Sequence, residues 1–478
     1  MSVIPIYADL GILHTPASIA AAFTTLTIQD LKNAGIKYIH IQWVEPSNII
    51  RLRMVPISHF EKMLQSARPG IGIPKVTGGF VYLVTAEGYG AAGEYLYVPD
   101  MSSLRLCPYA PGTASIFGWL EEKDAYKGPD GQMTAKTLVC PRAKVRDLVA
   151  EAQKDGVEFL IGFESEFNLL TSINPVRAGS HHQYGGARGL LVGLPETKAL
   201  QEIVDALIDS GIKVEACHPE AGPGQYEIVT GPLSPLAAAD VLVHTRQTIV
   251  NIASKHGLHA TFAPRISMTA PGSAAHMHIS AHRVGEKKPK ETLSSLEKSF
   301  LAGVIDDIRA LSAITLPIPA SYKRVGDGVF SGGTYVAWGT ENRECPIRLS
   351  NATSPSSRNF EMRFIDGTAN PYLVVASFIG LGYAGIKSKR ELHLQNFSSA
   401  SGPALLSEEE RQARGITQRM PLTWEESREH LTKSKALREV LGSEFVDKYL
   451  SVNKTLAGAL GIHDGDEEKS LTHLVELY

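Results

Sequence analysis

Glu158-Phe-Leu-Ile-Gly-Phe-Glu-Ser-Glu-Phe-Asn168 reads as a β-strand, and a period of two puts Glu164 and Glu166 on one face and Phe159, Ile161, Phe163 and Phe167 on the other. Two carboxylates on one face of an otherwise apolar strand repel each other and resist desolvation, so a cation is their simplest compensation. Two further segments repeat the pattern. In Ala274-Ala-His-Met-His-Ile-Ser280 a strand face carries His276 and His278, and in Phe360-Glu-Met-Arg-Phe-Ile-Asp366 another carries Glu361 and Arg363. A fourth segment, His218-Pro-Glu-Ala-Gly-Pro-Gly-Gln-Tyr-Glu227, reads as a loop whose Gly-Pro-Gly centre bends the chain between Glu220 and Glu227. Each alone has a plain structural explanation. Together, five glutamates and a histidine at chain-distant positions suggest convergence on hard divalent cations, and a carboxylate-dominated set suits Mg²⁺ or Mn²⁺.

Around these acids the sequence scatters cations: Lys323-Arg324, Arg343, Arg348 and Arg363. Guanidinium forks match carboxylate and phosphate oxygens in pairs, so several near a metal cluster imply an anionic substrate and a transferring phosphoryl group. No GxxxxGK[ST] occurs, so a nucleotide is not held by a Walker loop. His276-Met-His278 also matches the HxH of metal-dependent amidohydrolases, but it lies past mid-chain, without the downstream ligands that chemistry needs.

Outward from the strand, Val145, Leu148, Val149 and Ala152 predict a helix ended by Gly156. Leu200 to Ile208 predicts another stopped by Gly211, and Ser234-Pro235 opens a long one running to about His256. Helices are expected from Leu293 to Ser312 and across most of Thr423 to Leu460. The polar stretch His282 to Thr292 reads as a solvated loop. Towards the N-terminus, a helix over Thr27 to Asn33, a strand over Ile36 to Val44, a helix over Ser58 to Ala67 and short strands at Val81 to Thr85 and Tyr95 to Val98 make a small mixed α+β unit. The turn-rich segment from Pro108 to Gly131 suits a domain junction, and the larger part beyond it reads as α/β with a helical C-terminal region.

The 478 residues are 43% hydrophobic and 20% charged, enough for one large core or a few ordinary ones. A formal net charge of -3 lacks the footprint of a dedicated nucleic-acid binder. Four cysteines without a CxxC argue against a disulfide scaffold and for a reducing compartment. No signal-peptide pattern and no run of eighteen apolar residues is present, so a cytoplasmic protein with no membrane partner is expected.

Taken in order, Gly162-Phe-Glu-Ser-Glu-Phe167, Glu220-Ala-Gly-Pro-Gly-Gln-Tyr-Glu227, Gly272-Ser-Ala-Ala-His-Met-His278, Ser321-Tyr-Lys-Arg324, Asn342-Arg343 and Glu361-Met-Arg-Phe-Ile-Asp366 with Asn370-Pro-Tyr372 resemble the glutamine synthetase family over nearly the whole chain. The resemblance implies an α+β protein: an extension (1–25), a β-grasp domain (26–117) and a catalytic domain (118–478) of antiparallel sheet with helices. It also implies a homo-oligomeric double ring whose active sites lie between neighbouring subunits. The expected activity is ATP-dependent carboxylate–amine ligation with two or more Mg²⁺ or Mn²⁺ per site, acting on ATP, an amino acid such as glutamate, and ammonia or an amine. By position, Glu166, Glu220 and Glu227 resemble ligands of a first metal ion, and Glu164, His276 and Glu361 of a second. His278, Ser280 and Arg348 fall at nucleotide contacts, Arg343 at the transferring phosphoryl group, and Arg324, Arg363 and Gly272 at the amino acid. Glu45 stands where the family has an Asp near ammonium. Pro271, Ala274 and Ala320 depart from the pattern. The flap glutamate is replaced around Val329-Phe330-Ser331 with only Asp327 nearby, and no Tyr-bearing adenylylation segment lies between Lys389 and Arg419. These changes touch the amine and amino-acid pockets, so a larger or less polar amine, or a non-catalytic ring protein of the same fold, are the readings they raise.

Overall fold

The computed structural model describes residues 15–21, 26–128, 130–267, 269–289, 293–461 and 467–478. Most of the expected extension, and Lys290 to Thr292 of the polar stretch, lie outside the described residues. The helix Ile28–Asn33 begins where Thr27 and Asp30 cap each other reciprocally, Asp30 N–H donating to Thr27 Oγ1 at 3.2 Å and Thr27 N–H to Asp30 Oδ2 at 2.8 Å. A four-stranded sheet follows in the order Ile50–Pro56, Tyr38–Val44, Thr113–Ile116, Arg105–Leu106, with a parallel central pair. Ile39 and Ile41 of this sheet pack on Phe60 of the helix Ile57–Leu64.

A second, antiparallel sheet takes Met133–Lys136, Gly118–Lys127, Glu94–Pro99 and Ile71–Pro74. The segment expected as a turn-rich junction therefore contains two strands. Its described glycines and prolines sit at the strand ends, while Trp119 to Glu122 pair across to Tyr95 to Val98. The single short strand expected over Val81 to Thr85 is instead a tiny hairpin, Phe80–Val81 with Val84–Thr85, turning at Tyr82 with φ 52°.

The 17-residue strand Val157–Ile173 is the spine of a nine-stranded sheet. Val157 to Phe163 pair with Met277–Arg283, and Glu164 to Asn168 pair on the opposite edge with Gln225–Thr230. Beyond Met277–Arg283 come Asn359–Met362, Ile347–Ser350 and Trp338–Thr340, and beyond Gln225–Thr230 comes Val214–Pro219. Phe159, Ile161 and Phe163 lie in the main core with the helices Pro371–Lys387, Ser295–Asp306 and Pro141–Lys154. The helix Pro371–Lys387 is buried nearly all round, as its uniformly apolar sequence requires. Where one helix was expected over Leu293 to Ser312, there are two, Ser295–Asp306 and Ile308–Thr315, broken at Asp307. The stretch from Thr423 is divided at Ser434 and Gly442. Lys288, expected in solvent, is largely buried 3.3 Å from Glu297, whose carboxylate also takes the Arg358 guanidinium at 2.7 Å.

Two buried polar clusters fasten the N-terminal sheets to this body. Arg142 bridges Asp100 at 2.6 Å and Asp240 at 2.8 Å, and the Tyr372 hydroxyl donates to Asp240 at 2.6 Å. His244 lies 3.3 Å from Ser115 Oγ through Nδ1 and 3.2 Å from Ser210 Oγ through Nε2. Burial pushes its imidazole down to about 3, with Arg105 adding to the shift, so it is neutral in the folded protein. An unfolded histidine takes up a proton near pH 6.5, and the stabilisation is therefore complete above that value and lost as pH falls through it. Unfolding titrations at pH 7.5 and 5 should show a smaller pH-dependent loss for His244→Gln than for the native chain, by up to about 1.4 kcal/mol per pH unit. Equal losses would remove His244 from the account.

Candidate active site

Strand register assembles the site. On one row His218 faces Glu227 and Glu227 faces Glu166. On the next, Gly162 faces His278, His278 faces Glu361 and Glu361 faces Arg348. Directly opposed residues on one sheet face bring side chains within about 5 Å. Glu164 sits between the rows, two positions from both Gly162 and Glu166. Its backbone N–H donates to His276 O at 3.0 Å, and its carboxylate lies 3.0 Å from both His276 Nδ1 and His278 Nε2.

Three overlapping groups result, each with donor atoms within 4.8 Å of one another: Glu164, Glu227 and His276; Glu164, His278 and Glu361; and His218, Glu220 and Glu227. Of the six acids and imidazoles expected as metal ligands, five fall in these groups. Glu166 lies alongside, 4.0 Å from His276 Nδ1. The segment expected as a loop is a hairpin: Val214–Pro219 and Gln225–Thr230 extend on both sides of the turn, because Tyr226 and Ile228 alternate into a second core. That pairing adds His218, which sequence reading quoted without assigning it a role. Its two-residue spacing from Glu220 on an extended chain was the available signal.

The electrostatics fit a site for a cation. Burial, reinforced by Glu227 and Glu220, pushes the Glu166 carboxyl up to about 8, and burial with Glu227 takes Glu220 to about 7. His218 is raised to about 9, chiefly by its contact with Glu227. Burial also opposes ionisation of Glu164, but His278 and His276 outweigh it and hold the carboxyl well below its ordinary range. Carboxyls that ionise only reluctantly in the folded chain are an anionic cluster short of positive charge. Oxygen donors with imidazole suit Mg²⁺ or Mn²⁺.

The expected nucleotide contacts His278, Ser280 and Arg348 line one cavity of about 340 Å³, with Glu164, Arg358 and Asn359 on its walls. Arg348 Nε is 2.9 Å from Glu361, and Arg363 pairs with the other oxygen of that carboxylate. At the far end, Gln225 Nε2 donates to Glu166 at 3.0 Å and to the Gly272 carbonyl at 3.1 Å, and Ala274 N–H donates to Glu166 at 2.8 Å. A Cβ at Gly272 would lie 2.7 Å from Arg324 Cβ, so only glycine lets the two backbones approach. Arg324 is buried and its Nη2 donates to Ile365 O, but its Nε has no hydrogen-bond partner among the described residues, as suits a group awaiting an anion.

Three expected residues stand apart. Glu45 is ion-paired with Arg51 at 3.0 Å, with no ion pair or hydrogen bond to the cluster among the described residues, and burial takes it to about 7 against the pull of Arg51. Asp327 is held by Arg419 at 2.9 Å and by the Thr334 hydroxyl. Arg343 is exposed, and among the described residues its contact with the cluster is through its carbonyl, which accepts from Arg363 Nε at 3.1 Å.

A family model, the catalytic domain of glutamine synthetase, matches residues 138–458. The chain belongs to the glutamine synthetase family. Its members are ligases that bind ATP and Mg²⁺ or Mn²⁺. Protein fluG of Emericella nidulans is 32% identical over 93% of this chain, which spans 49% of that relative's length. Gamma-glutamylpolyamine synthetase GlnA3 of Streptomyces coelicolor is 31% identical over 91% of this chain and 93% of its own, and the glutamine synthetase of Methanocaldococcus jannaschii 29% over 89% and 93%. Among solved structures, a glutamine synthase homolog superposes with a TM-score of 0.74 at 25% identity, covering 93% of this chain and 99% of its own. GmaS in its ADP complex reaches 0.76 at 20%, covering 94% and 100%, a likeness of fold alone. The α+β architecture of this glutamine synthetase relative agrees with the fold class its resemblance implied, whereas the α/β reading of the larger part gives way to a sheet whose pairings are antiparallel except that of Trp338–Thr340 with Ile347–Ser350. Among its described residues no helix is long and apolar enough to cross a membrane.

Proposed function

We propose that the chain is an ATP-dependent carboxylate–amine ligase that makes an amide through an acyl phosphate, most simply by γ-glutamyl transfer to ammonia or a primary amine. The observation that carries this reading is the overlap of three ligand groups on one sheet face, flanked by a nucleotide-sized cavity and by the buried Arg324. Divalent ions held by Glu164, Glu166, His218, Glu220, Glu227, His276 and Glu361 would supply charge neutralisation on the phosphates and the acid. His278, Ser280 and Arg348 bind the nucleotide. Arg324 and Arg363 orient the acid, and Gly272 leaves room for it.

A carboxylate is a poor electrophile, so its oxygen first attacks the γ-phosphorus of ATP, and ADP leaves. Arg343, exposed beside the cluster, would bring its fixed charge to the transferring phosphoryl group and oppose the negative charge that builds up. The amine then attacks the acyl carbon, phosphate departs, and the amine proton passes to a nearby carboxylate. Asp327 takes that role within the chain only by giving up the Arg419 and Thr334 contacts that hold it. Glu45, ion-paired with Arg51, would serve the site of a neighbouring subunit in a cytoplasmic double ring with shared sites. A β-grasp unit over 26–117 and a catalytic unit over 118–478 complete the proposal.

The non-catalytic reading draws on one feature, the flap without its glutamate. Phosphate release across a panel of acids and amines separates the two. ADP and an amide product should form only when divalent ion, acid and amine are all present. A folded protein that binds nucleotide but turns over no member of the panel would make it a ring protein without chemistry.

A further inference from the structure

Strand alternation puts His278, Ser280 and His282 on one face of Met277–Arg283. The first two line the cavity of about 340 Å³, together with Leu160 and Gly162, which face them from the neighbouring strand. His282 stands two residues beyond Ser280, opposite Glu158, next to the cavity wall but not part of it. Expected at the edge of a solvated loop, its imidazole is half-buried, and its Nε2 lies 2.8 Å from Ser280 Oγ.

A serine and a histidine at this distance can serve in two ways. In the first, the imidazole takes the seryl proton and Oγ becomes a nucleophile. Burial, with the Lys288 ammonium adding to it, pushes His282 down to about 3, which makes it too weak a base for that step near neutral pH. The second way is geometric. A neutral imidazole makes one hydrogen bond through Nε2, and whichever atom supplies the proton, the Ser280 hydroxyl is held in one orientation.

The neighbouring polar groups of the wall are already engaged. His278 meets Asn359 Oδ1 at 2.8 Å and Glu164 at 3.0 Å, Arg348 Nε meets Ser350 Oγ at 3.0 Å and Glu361 at 2.9 Å, and Glu297 takes the Arg358 guanidinium at 2.7 Å. Ser280 Oγ has a single hydrogen-bond partner among the described residues, and its remaining capacity is left for what enters the cavity.

Resting on the nucleotide reading of this cavity, we propose that His282 is a positioning residue that fixes the Ser280 hydroxyl for its hydrogen bond to the bound nucleotide. A hydroxyl oriented in advance loses no rotational freedom when the ligand arrives, and lost freedom is part of the cost of binding. The contact is the same before and during phosphoryl transfer, so His282 acts on nucleotide affinity and not on the rate of the chemical step.

The test titrates the full chain with ADP in the presence of Mg²⁺ by calorimetry, which needs neither acid nor amine. His282→Leu should weaken ADP binding about three- to tenfold, the worth of one neutral hydrogen bond. His282→Gln, whose amide reaches the place of Nε2, should recover most of the loss. In a Ser280→Ala background His282→Leu should cause no further loss, because the hydroxyl it orients is gone. In turnover, KM for ATP should rise by the same factor in His282→Leu with kcat unchanged. Native-like affinity in His282→Leu, no recovery in His282→Gln, or an undiminished loss in the Ser280→Ala background overturns the inference and leaves the nucleotide reading intact. Failure of the native chain to bind ADP overturns both.

Discussion

Glu164→Ala should lower ATP-dependent turnover by about a hundredfold or more while the protein stays folded. Glu164 belongs to two of the three ligand groups and lies between both imidazoles. It is only partly buried, so its truncation opens no closed cavity. Metal-assisted charge stabilisation is worth several kcal/mol, and about 3 kcal/mol corresponds to two powers of ten in rate. A second readout needs no turnover. Ions that bind only the folded chain raise its thermal midpoint by an amount that grows with the logarithm of their affinity, so the upshift produced by Mn²⁺ should shrink in Glu164→Ala. Loss of this carboxylate also removes the group that holds His278 at about 9 against the pull of burial. Unchanged turnover together with an undiminished Mn²⁺ upshift would end the two-ion reading of the cluster.

Arg142→Ala should be among the most destabilising single changes in the chain, at about 3–5 kcal/mol. The guanidinium is fully enclosed and serves Asp100 from the N-terminal sheets and Asp240 from the helix Pro235–Lys255. Its removal leaves two buried carboxylates without a counter-charge, and the Tyr372 hydroxyl bonded to one of them. Arg142→Lys should recover only part of the loss, because a single ammonium cannot reproduce the forked contact to Asp240 Oδ1 at 2.9 Å and Oδ2 at 2.8 Å. Urea unfolding monitored by tryptophan fluorescence reads both. A change under 1 kcal/mol for Arg142→Ala would show that water reaches these carboxylates.

Much of the catalytic face was legible because a strand's alternation is a property of the local backbone. Glu164 and Glu166 had to point one way and Phe163 the other, whatever surrounded them. The same parity hid the hairpin at His218 to Glu227. Gly222, Pro223 and Gly224 dominate its centre, and the extended flanks are recognised only once Tyr226 and Ile228 find a core to enter. Lys288 was misread for a related reason. In a run of charges one lysine looks like its neighbours, and only the position of Glu297 on the next helix withdraws it from water. The strand at Trp119 to Glu122 was hidden for the same reason, because its pairing with Tyr95 to Val98, some twenty residues back, outweighs the nearby glycines.

By itself the sequence singled out the acids and imidazoles that the sheet gathers, the strand face on which each stands, and the family to which their order belongs. These follow from covalent geometry and from residue identity, both local. Only the tertiary structure decided that Glu227 opposes Glu166 and His218, that Arg363 serves Glu361 and the flap at once, and that Asp327 and Glu45 are committed to arginines. Strand register and the burial of a charge depend on contacts between segments tens to hundreds of residues apart, and their energies exist only once the chain has closed on itself.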